Sequence, residues 1–165
     1  MQIEKIYEEK IFSKGITVLL TIATIVFLLA LLYQATVGPI GTRPAPNWFL
    51  LVMFLLFLGL TVNFSNLSIK MTSRYLSVGY GIFKHSILWE NVQDCYLDDT
   101  LTIRYGGWGI RIARVKGKWR LAYIVIGAPR VVLLLNKGTF GEFAFSTNNP
   151  QKVIEIVKQK AGETK

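Results

Sequence analysis

Few residues in this chain could carry out chemistry. His85 and Cys95 are its one histidine and its one cysteine, and Glu90, Asp94, Asp98 and Asp99 fall close to them. This group is the one place where a metal could be argued. A hard cation needs several convergent oxygens, and zinc needs histidine and cysteine at motif spacing. Neither pattern is met, so surface loops at strand ends account for these acids. A neighbouring Asp94 carboxylate disfavours a thiolate at Cys95, and one cysteine builds no disulfide framework. No serine–histidine–aspartate set, phosphate loop or pair of catalytic carboxylates can be assembled from the residues present. The expectation is therefore a chain that is not an enzyme, with no catalytic, metal or cofactor-binding residue.

The segment with the most marked composition is Tyr105-Gly106-Gly107-Trp108-Gly109-Ile110-Arg111. Glycine reaches backbone conformations closed to other residues and lets another group approach the chain. Two readings follow. In one, Gly106, Gly107 and Gly109 form a bulge or bend, Trp108 packs onto a sheet and Arg111 pairs locally. In the other, an exposed Trp108 enters a membrane interface or a partner while Arg111 holds an anionic group.

Around this segment the charge is one-sided. Between Thr100 and Gly141 there are eight cations, Arg104, Arg111, Arg114, Lys116, Lys118, Arg120, Arg130 and Lys137, and no acid. The whole chain carries a net charge of +9. Beside an anionic leaflet each such cation is attracted by about 1 kcal/mol. The alternative is a solvated face. Trp108, Arg111, Arg114, Lys116, Lys118 and Arg120 are the residues expected to form a lipid or partner interface. Aromatic residues among the basic ones also resemble a single-strand-binding sheet, but a chain held at a membrane is not expected to bind nucleic acid.

That membrane expectation comes from the elements that must position these residues. No charge appears from Gly15 to Thr42, and Ile16–Val37 supplies 22 residues, enough to cross a bilayer core. A second uncharged run extends from Pro44 to Ile69, with Asn47 available as a cap and Trp48 suited to an interface. The second run argues against a cleaved signal peptide. Residues 15–66 thus read as a transmembrane hairpin with spans near 16–37 and 47–64. Lys5, Lys10, Lys14, Lys70 and Arg74 flank it, against the lone Arg43 in its loop. The positive-inside rule places both termini in the cytoplasm of a multi-pass inner-membrane protein. Residues 1–14 carry Ile3, Ile6, Tyr7, Ile11 and Phe12 at roughly helical spacing. They read as an amphipathic lead-in on the membrane surface, or as the frayed end of the first span.

From residue 67 the pattern becomes strand-like: Leu67–Thr72, Tyr75–Val78, Ile82–Trp89, Gln93–Leu97, Leu101–Tyr105 leading into the glycines, Ile110–Val115, Trp119–Ile126, and a hairpin of Val131–Leu135 and Glu142–Ser146. Gly79-Tyr80-Gly81 reads as a turn, and Trp89-Glu90-Asn91-Val92 as another. A helix over 150–161 follows, capped by Asn149, started by Pro150 and ended by Gly162.

This order resembles uncharacterised prokaryotic two-span membrane proteins with a pleckstrin-homology-like domain. The resemblance rests on the Trp89–Val92 turn, the Tyr105–Arg111 motif, Ala122-Tyr123, the hairpin and the capped helix. Members tend to have an asparagine and a serine after the Ala-Tyr pair, where this chain has Ile124, Val125 and Ile126. The resemblance implies an α+β membrane protein. Its 67–165 region would be a curved sheet or partly open barrel closed by the C-terminal helix, with Tyr105, Gly106, Gly107, Gly109 and Trp89 as structural motif residues. It implies no reaction. The functional expectation is a non-catalytic binding or scaffold module at the inner leaflet, with anionic lipid headgroups and other membrane proteins as partners, a second copy of the chain among them. The rival is an accessory subunit of a transport or envelope-assembly complex whose hairpin makes the main contact.

Overall fold

Two long apolar helices interrupt a sheet. The computed structural model describes residues 4–115 and 117–163. It divides into two units, one of residues 14–65 and one formed by the chain on either side.

The first unit is a helical hairpin, α1 (Lys14–Thr36) and α2 (Asn47–Phe64). Both helices are long and apolar enough to cross a membrane. Their apolar side chains lie outside: only Thr24 of α1 and only Leu50 of α2 are buried. Apolarity all round a helix suits either a core or lipid. The pair is held by Phe27 stacked on Phe57, with ring centroids 5.3 Å apart, and by Thr24 Oγ1 3.3 Å from Thr61 Oγ1. Gln34 closes the connecting loop, donating to Ala45 O at 2.7 Å and to Asn47 Oδ1 at 2.6 Å. Asn47 is therefore not the cap. Pro46 occupies that position without a side-chain bond, and the Asn47 amide serves Gln34 instead.

The second unit begins before the hairpin. Residues Lys5–Phe12 form a strand, β1, which corrects the helical lead-in expected there; Ile3 lies outside the described residues. β1 runs antiparallel to β2 (Asn66–Thr72), with Phe12 opposite Asn66 and Glu9 opposite Ile69. Its pattern follows period two rather than 3.6: Tyr7, Glu9 and Ile11 turn inward while Lys10 and Phe12 are exposed. The partner that selects the strand lies beyond the hairpin, and helical spacing over so few residues could not reveal it. β3 (Tyr75–Tyr80) and β4 (Phe83–Leu88) complete a sheet of order β1-β2-β3-β4. Tyr80 belongs to β3, so the turn expected at 79–81 moves on to Gly81-Ile82.

The other sheet has order β5-β8-β9-β7-β6, from β5 (Val92–Leu97), β6 (Gly109–Val115), β7 (Lys118–Ile124), β8 (Arg130–Leu135) and β9 (Glu142–Ser146). β7 and β9 are parallel and the remaining pairs antiparallel. The sheets share no strand, and no closed barrel forms. One face of the five-stranded sheet meets the first sheet through Tyr123 on Tyr80 (6.3 Å) and Phe143 beside His85 (5.3 Å). α3 (Pro150–Glu163) buries Val153, Val157 and Ala161 and packs on β5, β8 and the 3-10 turn Trp89–Asn91. Trp89 fills that corner, donating from Nε1 to Thr72 O at 2.8 Å. On β1, Glu9 accepts from Thr147 Oγ1 at 2.6 Å and from Asn148 N at 2.7 Å, which ties the first strand to the end of the last.

Candidate functional site

The glycine segment begins at a second 3-10 turn, Thr102–Tyr105, rather than at the end of a strand. Gly106 leaves that turn at φ 77°, its N–H bonded to Ile103 O at 3.0 Å, and Gly107 follows at φ 111°. A side chain is strained at such angles, so these glycines make the bend. Gly109 then opens β6. Arg111 donates from Nε to Trp108 O at 3.0 Å, closing the bend on itself. Trp108 is 37% exposed. Bend and partial exposure are thus both realised.

The six expected interface residues do not share one face. Arg111 and Arg114 lie three apart on β6, and strand side chains alternate with period two, so they point to opposite sides. Both are exposed, as is Lys118 beyond the turn, while Lys116 lies outside the described residues. Arg114 donates to Gly117 O at 3.3 Å. Arg120 is a correction: it is 2% exposed and faces the interior.

Arg120 is the centre of a buried polar network. On β7 it lies opposite Glu142 of β9, and its Nε and Nη2 donate to Glu142 Oε2 at 2.8 and 2.6 Å. Nη2 also donates to Tyr96 OH at 3.2 Å, and Nη1 donates to Asp98 Oδ1 at 3.2 Å and to Tyr105 OH. All five guanidinium hydrogens are thereby used. Asp98 is equally saturated. Its Oδ2 accepts from Arg130 Nε at 2.9 Å and from Tyr105 OH at 2.8 Å, and its Oδ1 accepts from Thr100 N at 3.1 Å as well as from Arg120. Arg130 further donates to Thr102 Oγ1 at 2.7 Å and to Thr100 O. Asp98 is thus an interior counter-ion, which corrects its reading as a surface-loop acid.

Two guanidinium groups against two carboxylates leave the network neutral, and that neutrality allows its burial. Burial alone would raise the Asp98 carboxyl, but the hydrogen bonds from Arg130, Thr100 and Tyr105 outweigh it and hold the group below its usual range. Burial, then the bond to Asp98, pushes the Tyr105 phenol up to about 12. Tyr105, the first residue of the motif, is thereby fixed as a neutral donor at one end of the bend. Its ring also lies under both guanidinium groups, 5.7 Å from Arg120 and 5.4 Å from Arg130, within cation–π range.

With its donors and acceptors engaged internally, the cluster positions the chain rather than presenting a reactive group. A cavity of about 380 Å³ beside it is lined by Asp99, Thr100, Leu101 and Arg104 as well as by network members. Among the described residues, no three of His, Cys, Asp and Glu converge as a metal set. Burial and Asp94 raise the Cys95 thiol to about 12, which keeps it protonated and unreactive. Strand parity carried a signal for the network: Arg120 alternates with Ala122 and Ile124 on one side of β7, and Glu142 opens a strand that is otherwise apolar up to Ser146.

Compared with protein-family models, with curated proteins and with solved structures, the chain has no match.

One unfolding series in detergent checks the network. Arg120→Ala leaves Glu142 as a buried carboxylate without a cation and destabilises the β unit by about 3–5 kcal/mol at neutral pH; a change within 0.5 kcal/mol would contradict the assignment. For Asp98, whose pKa is lower folded than unfolded, the stabilisation is complete above the ordinary carboxylate value of about 3.9. It is lost as pH falls through the depressed folded value. Asp98→Asn is therefore less stable than the parent at neutral pH, and the gap between them narrows below about pH 4.

Proposed function

We propose that the chain is a two-span inner-membrane protein that holds a pleckstrin-homology-like β unit at the cytoplasmic leaflet. There the unit works as a non-catalytic recognition module for other membrane proteins, with anionic lipid assisting. The observation that carries this reading is the pairing of β1 with β2. The chain on the two sides of the apolar hairpin belongs to one sheet, so an inserted hairpin must start and finish on the same side of a bilayer. The positive-inside rule then favours the cytoplasmic side.

Two further features support recognition over chemistry. The buried charges are engaged with one another, and the exposed cations Arg111, Arg114 and Lys118 surround an edge strand, β6. An edge offers unpaired backbone groups to a partner segment. Tethering to the membrane plane raises the effective concentration of such a module for membrane-embedded partners.

Protease added to intact spheroplasts spares the C-terminal unit under this orientation, and cleavage there reverses it. Proteins recovered with the chain in mild detergent are expected to persist when α1 and α2 are exchanged for unrelated apolar helices. They are expected to be lost in Arg114→Glu/Lys118→Glu. The opposite pattern would make the hairpin the recognition element and overturn the module reading.

A further inference from the structure

The β3–β4 turn is unusual in what it exposes. Turn tips are ordinarily polar, yet Ile82 is 83% and Phe83 48% exposed. The turn is also built rather than slack. Lys84 N donates to Ile82 O at 3.1 Å. A Cβ on Gly79 would fall 2.2 Å from Phe83 O, so β3 and β4 approach at a distance that only glycine permits.

The register fixes where this turn lies. Phe12 pairs with Asn66, Leu67 with Tyr80, and Tyr80 with Phe83. Ile82 and Phe83 therefore occupy the end of the sheet where β1 runs out and β2 begins, the points at which the chain passes into α1 and returns from α2. Phe12, at that exit, is 51% exposed. The second sheet contributes to the same end. Tyr80 OH donates to Ile124 O at 3.0 Å, and Ile124 pairs with Gly109. Just past these two residues stand Ile126, 50% exposed, and Trp108.

At matching register levels, residues 10–14, 64–68, 79–84, 106–111 and 122–129 contain Lys10, Lys14, Lys84 and Arg111 and no acid. The acids at this end stand at the β5 edge, where Asp98 is paired with Arg130 and Asp99 is exposed. Apolar tips, an aromatic residue and the cations beside them match the boundary between acyl chains and anionic headgroups.

We propose that this end of the β unit is a lipid-docking collar. Ile82, Phe83, Ile126 and Trp108 enter the interfacial layer of an anionic bilayer, and Lys84 and Arg111 meet its phosphates. This rests on the membrane reading above and relocates its lipid contact. Lys118 opens β7 at its far end and stays clear of the lipid.

The test uses the full chain in anionic-lipid nanodiscs, with an environment-sensitive fluorophore on Ile82→Cys and, separately, on Ile126→Cys. Cys95 is buried and does not compete for the label. Glu90→Cys, at the opposite end of the sheet, is the reference. Blue-shifted emission at 82 and 126, quenched by a nitroxide just below the lipid headgroup and absent at 90, is the expected result. Emission at 82 and 126 as aqueous as at 90, or blue-shifted but not quenched by the nitroxide as when protein covers this end, overturns the collar. Co-flotation with vesicles separates the two levels. A chain that floats with aqueous labels sinks the collar alone, and one that does not float sinks the membrane reading itself.

Discussion

The pairing of β1 with β2 is the constraint on which the other features depend. Two strands far apart in sequence become neighbours because the segment between them is a structured hairpin whose ends are already close. Closing a flexible loop of that length would carry an entropic cost that grows only slowly with length, and a folded insert removes most of that cost. Once the strands pair, Phe12 and Asn66 are fixed side by side, and the β unit has two covalent connections to the apolar helices. The pairing holds the start and the end of the chain that flanks the hairpin in one register within the β unit. The Glu9 bonds to Thr147 and Asn148 extend that restraint from the first strand to the last.

A second constraint governs the opposite face of the larger sheet. Residues 98–108 cross that face as an irregular segment, and irregular backbone over a sheet needs its polar groups satisfied. The Arg120–Glu142 and Asp98–Arg130 pairs provide this while burying Tyr105 against Ala113, Ala122, Val132 and Ala144. Charged pairs of this kind contribute little net stability against an apolar core, because desolvation consumes most of the attraction. Their effect is to make one arrangement of the segment much better than any other, and the glycine bend that follows inherits that fixed position.

Much of this was legible in the sequence. Uncharged length alone marked the two helices, and Pro150 marked the start of α3, although the helix runs on through Gly162 to Glu163. Alternation and turn residues located most strands within one or two positions. The failures share a cause, which is dependence on distant partners. The strand Lys5–Phe12 has a weak period, and only β2 decides its conformation. Arg120 was grouped with surface cations because charge was counted along the chain, whereas its counter-ions come from β9 and from the segment after β5. Asp98 looked like a loop acid because it follows a strand, and its burial depends on Arg130 and Tyr105. Gly79 was read as part of a turn; its role is instead to let β4 approach.

The most direct test of the account is a disulfide across β1 and β2. Lys10 and Ser68 are register partners; directly opposed antiparallel residues stand about 4.5–5.5 Å apart at Cα, within disulfide range. In isolated membranes treated with a mild oxidant, Lys10→Cys/Ser68→Cys should form an intramolecular bond nearly completely. A control pair, Lys10→Cys/Glu90→Cys, should not. Failure of the first pair to cross-link, with both thiols reactive towards an alkylating reagent, would mean that the segment before the hairpin is not part of the sheet. The one-sided topology built on it would then fall.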